Sequence, residues 1–432
     1  MRIHVVLCPY STGFGITRAF ESLNRCGSSM VDITMLRSDR QPYIDIDPSG
    51  PLGRAGWPRT TVSTLSEALN GREYGDDDVH LFLYDHDYLS GDLGALRLDL
   101  AQTYRVIASP YSVASESFAR PFLIHSKSLS ERWGNLDSLL AMDPEAAIVA
   151  VMQRFPADQV TTLSLPAVKQ TRKLNDRFRA EYLRSLAGQI PAPASGASVP
   201  SIAVILANYN MARYLPMALA SLGSQSVPAS EIWLVDDGST DASPTILQEW
   251  ANQHGAGFFG GGGNEGKARR LNAALPQMQA DFVLELDADD WIDPNAVATI
   301  QSCLAALPAE ANLLYGNLRT WREGLHGKYR GTGVHRGYPI DDVSALLRYP
   351  LPLGPRIYRT QSLKAIGGFP VSSFADGRLY EDVLAVSRLM AHGRIQYADF
   401  TVYNTLAHAG SITRRNQGMW HHFLRAEFPM YT

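Results

Sequence analysis

The chain has 432 residues, 39 basic and 43 acidic, with a formal net charge of −4 and 45% hydrophobic residues. That length suits two domains or three small ones, and the near-balanced charge argues against generic DNA or RNA binding, which takes a basic excess. No window approaches the roughly 18 apolar residues of a membrane span, and the three cysteines (Cys8, Cys26, Cys303) lack the spacing of a disulfide framework or a zinc site. The N-terminus, Met1-Arg2-Ile3-His4-Val5-Val6-Leu7, reads as a buried strand and not as a secretory leader. The expectation is a soluble cytosolic protein without a transmembrane segment, peripheral contact at the inner face of a membrane being compatible with it. Oligomeric state is left open.

In the first half, short apolar runs at 3–8, 31–36, 79–84, 104–108 and 122–125 read as strands, and 16–23 and 89–100 have helical spacing. Such alternation predicts βαβ units and a mostly parallel sheet. The first strand runs into Gly13-Phe14-Gly15 and then a helix, a turn that lets backbone approach a phosphate or sugar. The dinucleotide fingerprint needs a small residue where Arg18 stands, so NAD binding is disfavoured. In this Gly-rich turn the half is similar to the N-terminal lobe of two-lobed (GT-B) glycosyltransferases. No matching nucleotide lobe follows, so residues 1–187 read as a Rossmann-like accessory or acceptor-side domain. Residues 188–200 combine small residues with three prolines, a linker composition.

Beyond the linker, residues 201–432 read as the catalytic domain. Strands are expected at 201–207, 231–235 and 281–286, with helices at 212–224, 243–254 and 295–307. Three polar clusters follow strands directly and would lie along the carboxyl edge of one parallel sheet, where open α/β sheets bind ligands. They are Asn208-Tyr209-Asn210, Asp236-Asp237-Gly238-Ser239-Thr240-Asp241 and Asp287-Ala288-Asp289-Asp290. Three carboxylates within four positions are unfavourable without a cation, and hard divalent ions prefer oxygen ligands. Gly260 to Lys267, with Arg269 and Arg270, would suit the phosphates that such an ion bridges. Each cluster also has a plain reading: a turn or helix cap for Asp236-Asp237, a helix start for Asp289-Asp290, a loop for the glycines, a structural imidazole for His408.

Taken together and in this order, the clusters closely resemble family 2 glycosyltransferases of the GT-A fold, over about residues 200–415. The resemblance rests on Asn208-Tyr209-Asn210, the Asp-Asp-Gly-Ser-Thr-Asp block, Asn264-Glu265-Gly266-Lys267, the DxD-type Asp287-Ala288-Asp289 and the Glu381-Asp382 pair. It implies an α/β chain in which a GT-A domain follows a second Rossmann-like domain. It implies that Asp237 with Asp236, and the neighbouring Ala207, Asn208 and Tyr209, serve the base of a nucleotide sugar, most simply a UDP-sugar. Asp287 would face the ribose, and Gly266, Lys267 and Arg270 would lie near the donor. Asp289, Asp290 and His408 would hold Mn²⁺ or Mg²⁺ at the diphosphate. Asp382 aligns with the catalytic base, with Glu381 as the fallback. Ala207 stands where several relatives have a hydroxyl residue. The QxxRW order of processive members is absent from Arg414-Arg415-Asn416-Gln417-Gly418-Met419-Trp420, which disfavours a membrane-embedded polymerase.

The reaction implied is a metal-dependent, inverting transfer of sugar to an acceptor hydroxyl, in polysaccharide or glycoconjugate synthesis. Asp382 would take the proton, and Arg414 and Arg415 would add charge near the leaving diphosphate. Segments 324–338 and 347–359 are expected to shape the acceptor site, and their Arg, His, Tyr and Pro suit a glycan, glycolipid or peptide alike. Two rivals are a sugar-nucleotide nucleotidyltransferase, disfavoured because the first catalytic strand runs into Asn-Tyr-Asn and not a Gly-rich loop, and an inactive sugar-binding module, disfavoured by the retained aspartates.

Overall fold

A computed structural model describes residues 2–8, 10, 12–25, 30–36, 58–62, 64–90, 103–113, 116–134, 136–137, 139, 143–170, 176–187, 199–324, 329–350, 352–410 and 417–431. The chain divides into two compact units, Met1–Gln189 and Ile190–Thr432. Most of the linker composition at 188–200, and most of the helix expected at 89–100, lies outside the described residues. Among the described residues no helix is long and apolar enough to cross a membrane.

The first unit holds β1 (Ile3–Leu7), β2 (Met30–Leu36), β3 (Arg59–Val62), β4 (Val79–Leu83), β5 (Asp87–Leu89), β6 (Val106–Val113), β7 (Glu116–His125), β8 (Val160–Thr162) and β9 (Val168–Gln170). Seven of them form a sheet in the order β3-β2-β1-β4-β7-β6-β8, and β5 pairs with β9. Strands β3, β2, β1 and β4 run parallel, as the alternation predicts. By contrast, β6 and β7 form an antiparallel hairpin, and β7 lies antiparallel to β4. Only two residues separate β6 from β7, too few for the crossover that parallel neighbours need. The glycine turn is already helical: the helix Gly13–Asn24 starts at the first glycine, with Thr12 accepting the Gly15 N–H as its N-cap. Arg120, wholly buried, is compensated by Asp87 and Glu145 and lies 3.6 Å over the Tyr111 ring.

The second unit is a mixed α/β domain. Its strands are β10 (Ile202–Asn208), β11 (Glu231–Asp236), β12 (Gly257–Phe259), β13 (Phe282–Asp287), β14 (Trp291–Ile292), β15 (Ala311–Glu323), β16 (Tyr329–His335), β17 (Ile357–Arg359) and β18 (Arg394–Ala407). The order is β12-β11-β10-β13-β17-β15-β18-β14, with β16 on β15. Strand β10, Ile-Ala-Val-Ile-Leu-Ala-Asn, is apolar on both faces because both faces are covered. Val204 and Leu206 pack with Leu219, Leu247 and Ile300 on one side, and Ala203 and Ile205 with Leu271, Tyr315 and Phe369 on the other. Each large aliphatic buried in this way contributes on the order of 1.5–3 kcal/mol. The chain proceeds β10, β11, β12 outward and then returns to place β13 on the far side of β10. That reversal opens a crevice between β10 and β13, and their carboxyl ends are where ligands bind in such sheets.

Candidate functional site

Parallel register sets the edge of this crevice. Asn208 pairs with Asp236 and Ala207 with Asp287, so the three strand ends finish level. The Ala288 N–H donates to the Ala207 carbonyl at 3.0 Å and closes the seam.

The first two clusters lace together. Asn208 donates its amide to Asp236 Oδ1 (2.6 Å) and Ser239 Oγ (3.1 Å), and Ser239 donates its N–H and hydroxyl back to Asp236 (2.9 and 2.6 Å). Asn210 adopts φ +53° and accepts the Thr240 N–H at 2.7 Å. Asp237 accepts N–H groups from Glu265 (2.8 Å) and Gly266 (2.9 Å), which ties the glycine loop to the end of β11. Gly238, at φ +70°, lets this happen: a Cβ there would lie 2.5 Å from the Gly263 carbonyl carbon. Asp236, expected to share the base contact, is buried and fully engaged inside the turn. Tyr209, 41% exposed, and Ala207 are left at the mouth.

The cations of the glycine loop also differ from expectation. Arg270 donates to the Gly263 carbonyl (2.8 Å) and lies 3.4 Å from Asp237. Arg269 donates to the Glu265 carbonyl (2.7 Å) and to Asp376 (3.1 Å). Lys267 Nζ lies 2.5 Å from Asp287 and 2.7 Å from Glu285, with Glu381 at 3.9 Å. All three therefore brace carboxylates and carbonyls and do not point as a row at a phosphate. For Lys267 and Arg270, largely withdrawn from water, anions and carbonyls compensate the charge, whereas the Arg269 pair with Asp376 is at the surface. Burial alone would lower the Lys267 pKa, but Asp287 and Glu285 hold it well above the usual lysine range.

Behind Lys267 runs a continuous chain of charges. Glu285, two positions before Asp287 and so on the same face of β13, takes Arg356 Nε and Nη2 in two bonds of 2.9 and 3.0 Å. Arg356 Nη1 then donates to Asp382 at 3.2 Å. The helix Glu381–Met390 begins with both acidic residues, which occupy its first turn, where free N–H groups favour carboxylates. Tyr380 enters that turn at φ +61°, packed against Trp420 and Phe423 of the helix Trp420–Glu427. The neighbours part in direction. Asp382 is 31% exposed, whereas Glu381 turns in toward Lys267, and burial pushes its carboxyl up to about 7.

The third cluster divides likewise. Asp289 Oδ2 lies 2.8 Å from His408 Nε2 at the strand edge. His408 Nδ1 accepts the Gly410 N–H at 3.1 Å, which leaves the ring proton on Nε2 in the neutral form. Asp290, expected beside them as a ligand, is buried instead. Its Oδ1 accepts the Leu406 N–H at 2.9 Å, with the Tyr403 hydroxyl as a further partner, and burial beside Asp289 and Asp287 pushes its carboxyl well up. Asp293 pairs with buried Arg319 (2.8 Å) and accepts the Asn404 amide, anchoring the DxD turn to β15 and β18. Arg414 and Arg415 lie outside the described residues.

Asp289 could offer a carboxylate oxygen to a divalent ion such as Mn²⁺, and His408 could join it through Nε2 once its ring proton moves to Nδ1 in place of the Gly410 contact. Among the described residues no three His, Cys, Asp or Glu side chains converge as a ready-made cage. Two protein ligands completed by substrate phosphates is the arrangement that fits. Glu285, Arg356 and Arg319 carried no weight in the sequence reading. The available signal was a charged residue inside the apolar run Phe-Val-Leu-Glu-Leu, which demands a buried partner.

Residues 203–364 match the family model described as Glycosyl transferase family 2, so the second unit carries a domain of that family. Glycosyltransferase GlyA of Streptococcus pneumoniae is 26% identical over 239 residues, 52% of this chain and 33% of that protein. Poly-β-1,6-N-acetyl-D-glucosamine synthase of Staphylococcus epidermidis is 36% identical over 98 residues, 23% of this chain and 24% of that protein. The chain thus spans well under half the length of the curated relatives it matches, 24% to 33% for three of them. Among solved structures, S. aureus TarS 1–349 in complex with UDP-GlcNAc aligns at TM-score 0.36 and 24% identity, over 49% of this chain and 60% of that one. A mannosyltransferase from Pyrobaculum calidifontis in complex with GDP-Man and Mn²⁺ aligns at TM-score 0.37 and 18% identity, over 55% and 65%.

Proposed function

We propose that this family 2 domain transfers a sugar from a nucleotide-diphospho-sugar, a UDP-sugar most simply, to an acceptor hydroxyl with inversion, in the synthesis of a polysaccharide or glycoconjugate. One observation carries the reading. The ion-pair chain Asp287–Lys267–Glu285–Arg356–Asp382 joins the crevice edge to a half-exposed carboxylate, in steps of 2.5 to 3.2 Å. A donor-side acid and an acceptor-side acid are thereby held in one rigid frame, which is what a single in-line displacement needs.

In this reading Tyr209 and the laced turn 236–241 receive the nucleoside, and Asp287 receives the ribose. Asp289 and His408 would hold Mn²⁺ or Mg²⁺, which when bound neutralises charge on the leaving diphosphate. Asp382 accepts the proton of the acceptor hydroxyl while Arg356 keeps its carboxylate aimed. Glu381, turned inward, is the poorer base on direction alone. The first unit, with the boundary near residues 188–200, is read as an acceptor-side accessory domain.

The experiment is a donor screen: UDP-glucose, UDP-galactose and UDP-GlcNAc with Mn²⁺, following UDP release, repeated with Asp382→Asn. The expected variant binds UDP as the parent does and transfers about two to four orders of magnitude more slowly, the scale of general-base catalysis. Near-parental transfer by Asp382→Asn with a dead Glu381→Gln moves the role by one residue, and normal transfer by both refutes the mechanism.

A further inference from the structure

The rim carboxylates Asp287 and Asp382 stand at the crevice edge, yet the group that links them is one layer below. Glu285 is 1% exposed by side chain, in the middle of β13 between Leu284 and Leu286. A lone carboxylate there would be costly, but every lone-pair direction is used. Oε1 faces Lys267 Nζ (2.7 Å) and Arg356 Nη2 (3.0 Å), and Oε2 faces Arg356 Nε (2.9 Å) and the Tyr358 hydroxyl (3.1 Å). Each cation has a second carboxylate at the rim: Asp287 for Lys267, Asp382 for Arg356. The three elements bearing these partners come from distant parts of the chain: the helix Lys267–Ala274, the segment leading into β17, and the helix Glu381–Met390.

We propose that Glu285 is a positioning residue for sugar transfer: one buried carboxylate fixes Lys267 against Asp287 on the donor side and Arg356 against Asp382 on the acceptor side. A fold that needed only stability would gain as much from an apolar residue at this point, since replacing buried ion pairs by well-packed hydrophobes is often neutral or stabilising. What an apolar residue could not do is hold two cations at a set spacing, each with one face left for a rim carboxylate. Arg356 is suited to this because its planar fork meets Glu285 with two nitrogens and still has Nη1 for Asp382. The proposal rests on the reading of Asp382 as the base.

The test is a double-mutant cycle on the full chain, with melting and circular dichroism to verify folding. Glu285→Gln is expected to lower kcat about 10–100-fold and to weaken UDP binding about 5–10-fold, because both arms slacken. Arg356→Lys keeps the charge but loses the fork, so kcat should fall about 10-fold with UDP affinity unchanged. In an Asp382→Asn background Arg356→Lys should cost less than about 3-fold further in kcat, since groups acting as one unit are not additive, and Glu285→Gln should retain only its donor-arm loss, seen as the weaker UDP binding. A structural role would give losses that multiply, and that result with Asp382→Asn already slow overturns the proposal while leaving the base in place. An Asp382→Asn variant as active as the parent marks failure of the underlying reading, visible in the single variant, and takes the acceptor arm with it. Should Glu285→Gln not fold, the cycle between Arg356→Lys and Asp382→Asn decides by the same criterion.

Discussion

Gly238→Ala tests whether the turn after β11 is held by the close approach of two backbones. Two glycines of nearly equal φ make the comparison clean: Gly238 at +70°, whose added Cβ would meet Gly263 C at 2.5 Å and Asn264 N at 2.7 Å, and Gly255 at +68°, with nothing within 4 Å. Placing alanine in this left-handed region costs about 1 kcal/mol at either position. At Gly238 the glycine loop must also retreat by about 1 Å to restore ordinary carbon contact. That retreat stretches the 2.8 and 2.9 Å bonds from Glu265 and Gly266 to Asp237 beyond hydrogen-bonding range. Losing one such bond to a carboxylate costs about 1.5–3 kcal/mol. With both bonds lost the totals are about 4–7 kcal/mol for Gly238→Ala against about 1 for Gly255→Ala, or roughly 8–28 °C against 2–4 °C in melting temperature. Tryptophan fluorescence is weighted toward the second unit, which holds five of the seven tryptophans, Trp57 and Trp133 lying in the first. UDP titration should show at least a tenfold weaker complex for Gly238→Ala and none for Gly255→Ala. Equal melting shifts in the two variants would refute the argument.

The proposed ligand pair of Asp289 and His408 predicts that Mn²⁺ binds weakly alone and much more tightly with UDP present; calorimetry showing equal affinity in both states counts against the site, as does full transfer in EDTA. Asp289→Ala should abolish the effect, and His408→Ala should only weaken it. Asp293→Ala strands buried Arg319 and should cost about 3–5 kcal/mol in urea unfolding, most of it recovered in Asp293→Leu/Arg319→Leu; a loss below about 1 kcal/mol would contradict the pairing. Burial raises the Glu381 carboxyl to about 7, above its unfolded value of 4.5, so the native state binds the extra proton and stability falls as pH climbs from about 4.5 to 7. Glu381→Gln should remove that decline, gaining on the parent as pH rises and matching it near pH 4; parallel stability curves would refute it.

The parallel strands of the catalytic unit were legible because β10, β11 and β13 are continuous apolar runs that end in polar clusters, and the helix Ser243–His254 matches its periodicity residue for residue. The β6–β7 hairpin was not, because apolar runs look alike whether the next strand returns or crosses over, and only the two-residue separation decides. At the site, the level alignment of Asn208, Asp236 and Asp287 follows from strand ends alone. The fate of the cations did not: nothing local to Lys267, Arg269 or Arg270 says that Glu285, Asp376 and the Gly263 carbonyl will reach them first.

The acidic residues show why motif and role separate. Asp236, Asp290 and Asp293 are buried and spend their oxygens on Ser239, Leu406, and Arg319 with Asn404; Asp287, Asp289 and Asp382 keep side chains 36%, 20% and 31% exposed. Each exposed acid sits within a few positions of a buried one or of Glu381, because successive side chains at a strand end or helix start point in different directions. A buried carboxylate is tolerable only with donors; Asp236 finds one three residues on in Ser239, but for the other two they arrive from farther along the chain, Leu406 being 116 residues from Asp290 and Arg319 26 from Asp293. The buried set therefore exists to hold the exposed set still. Removing a buried acid should act through stability and geometry, removing an exposed one through chemistry at constant fold, and that division is the one the substitutions above are built to resolve.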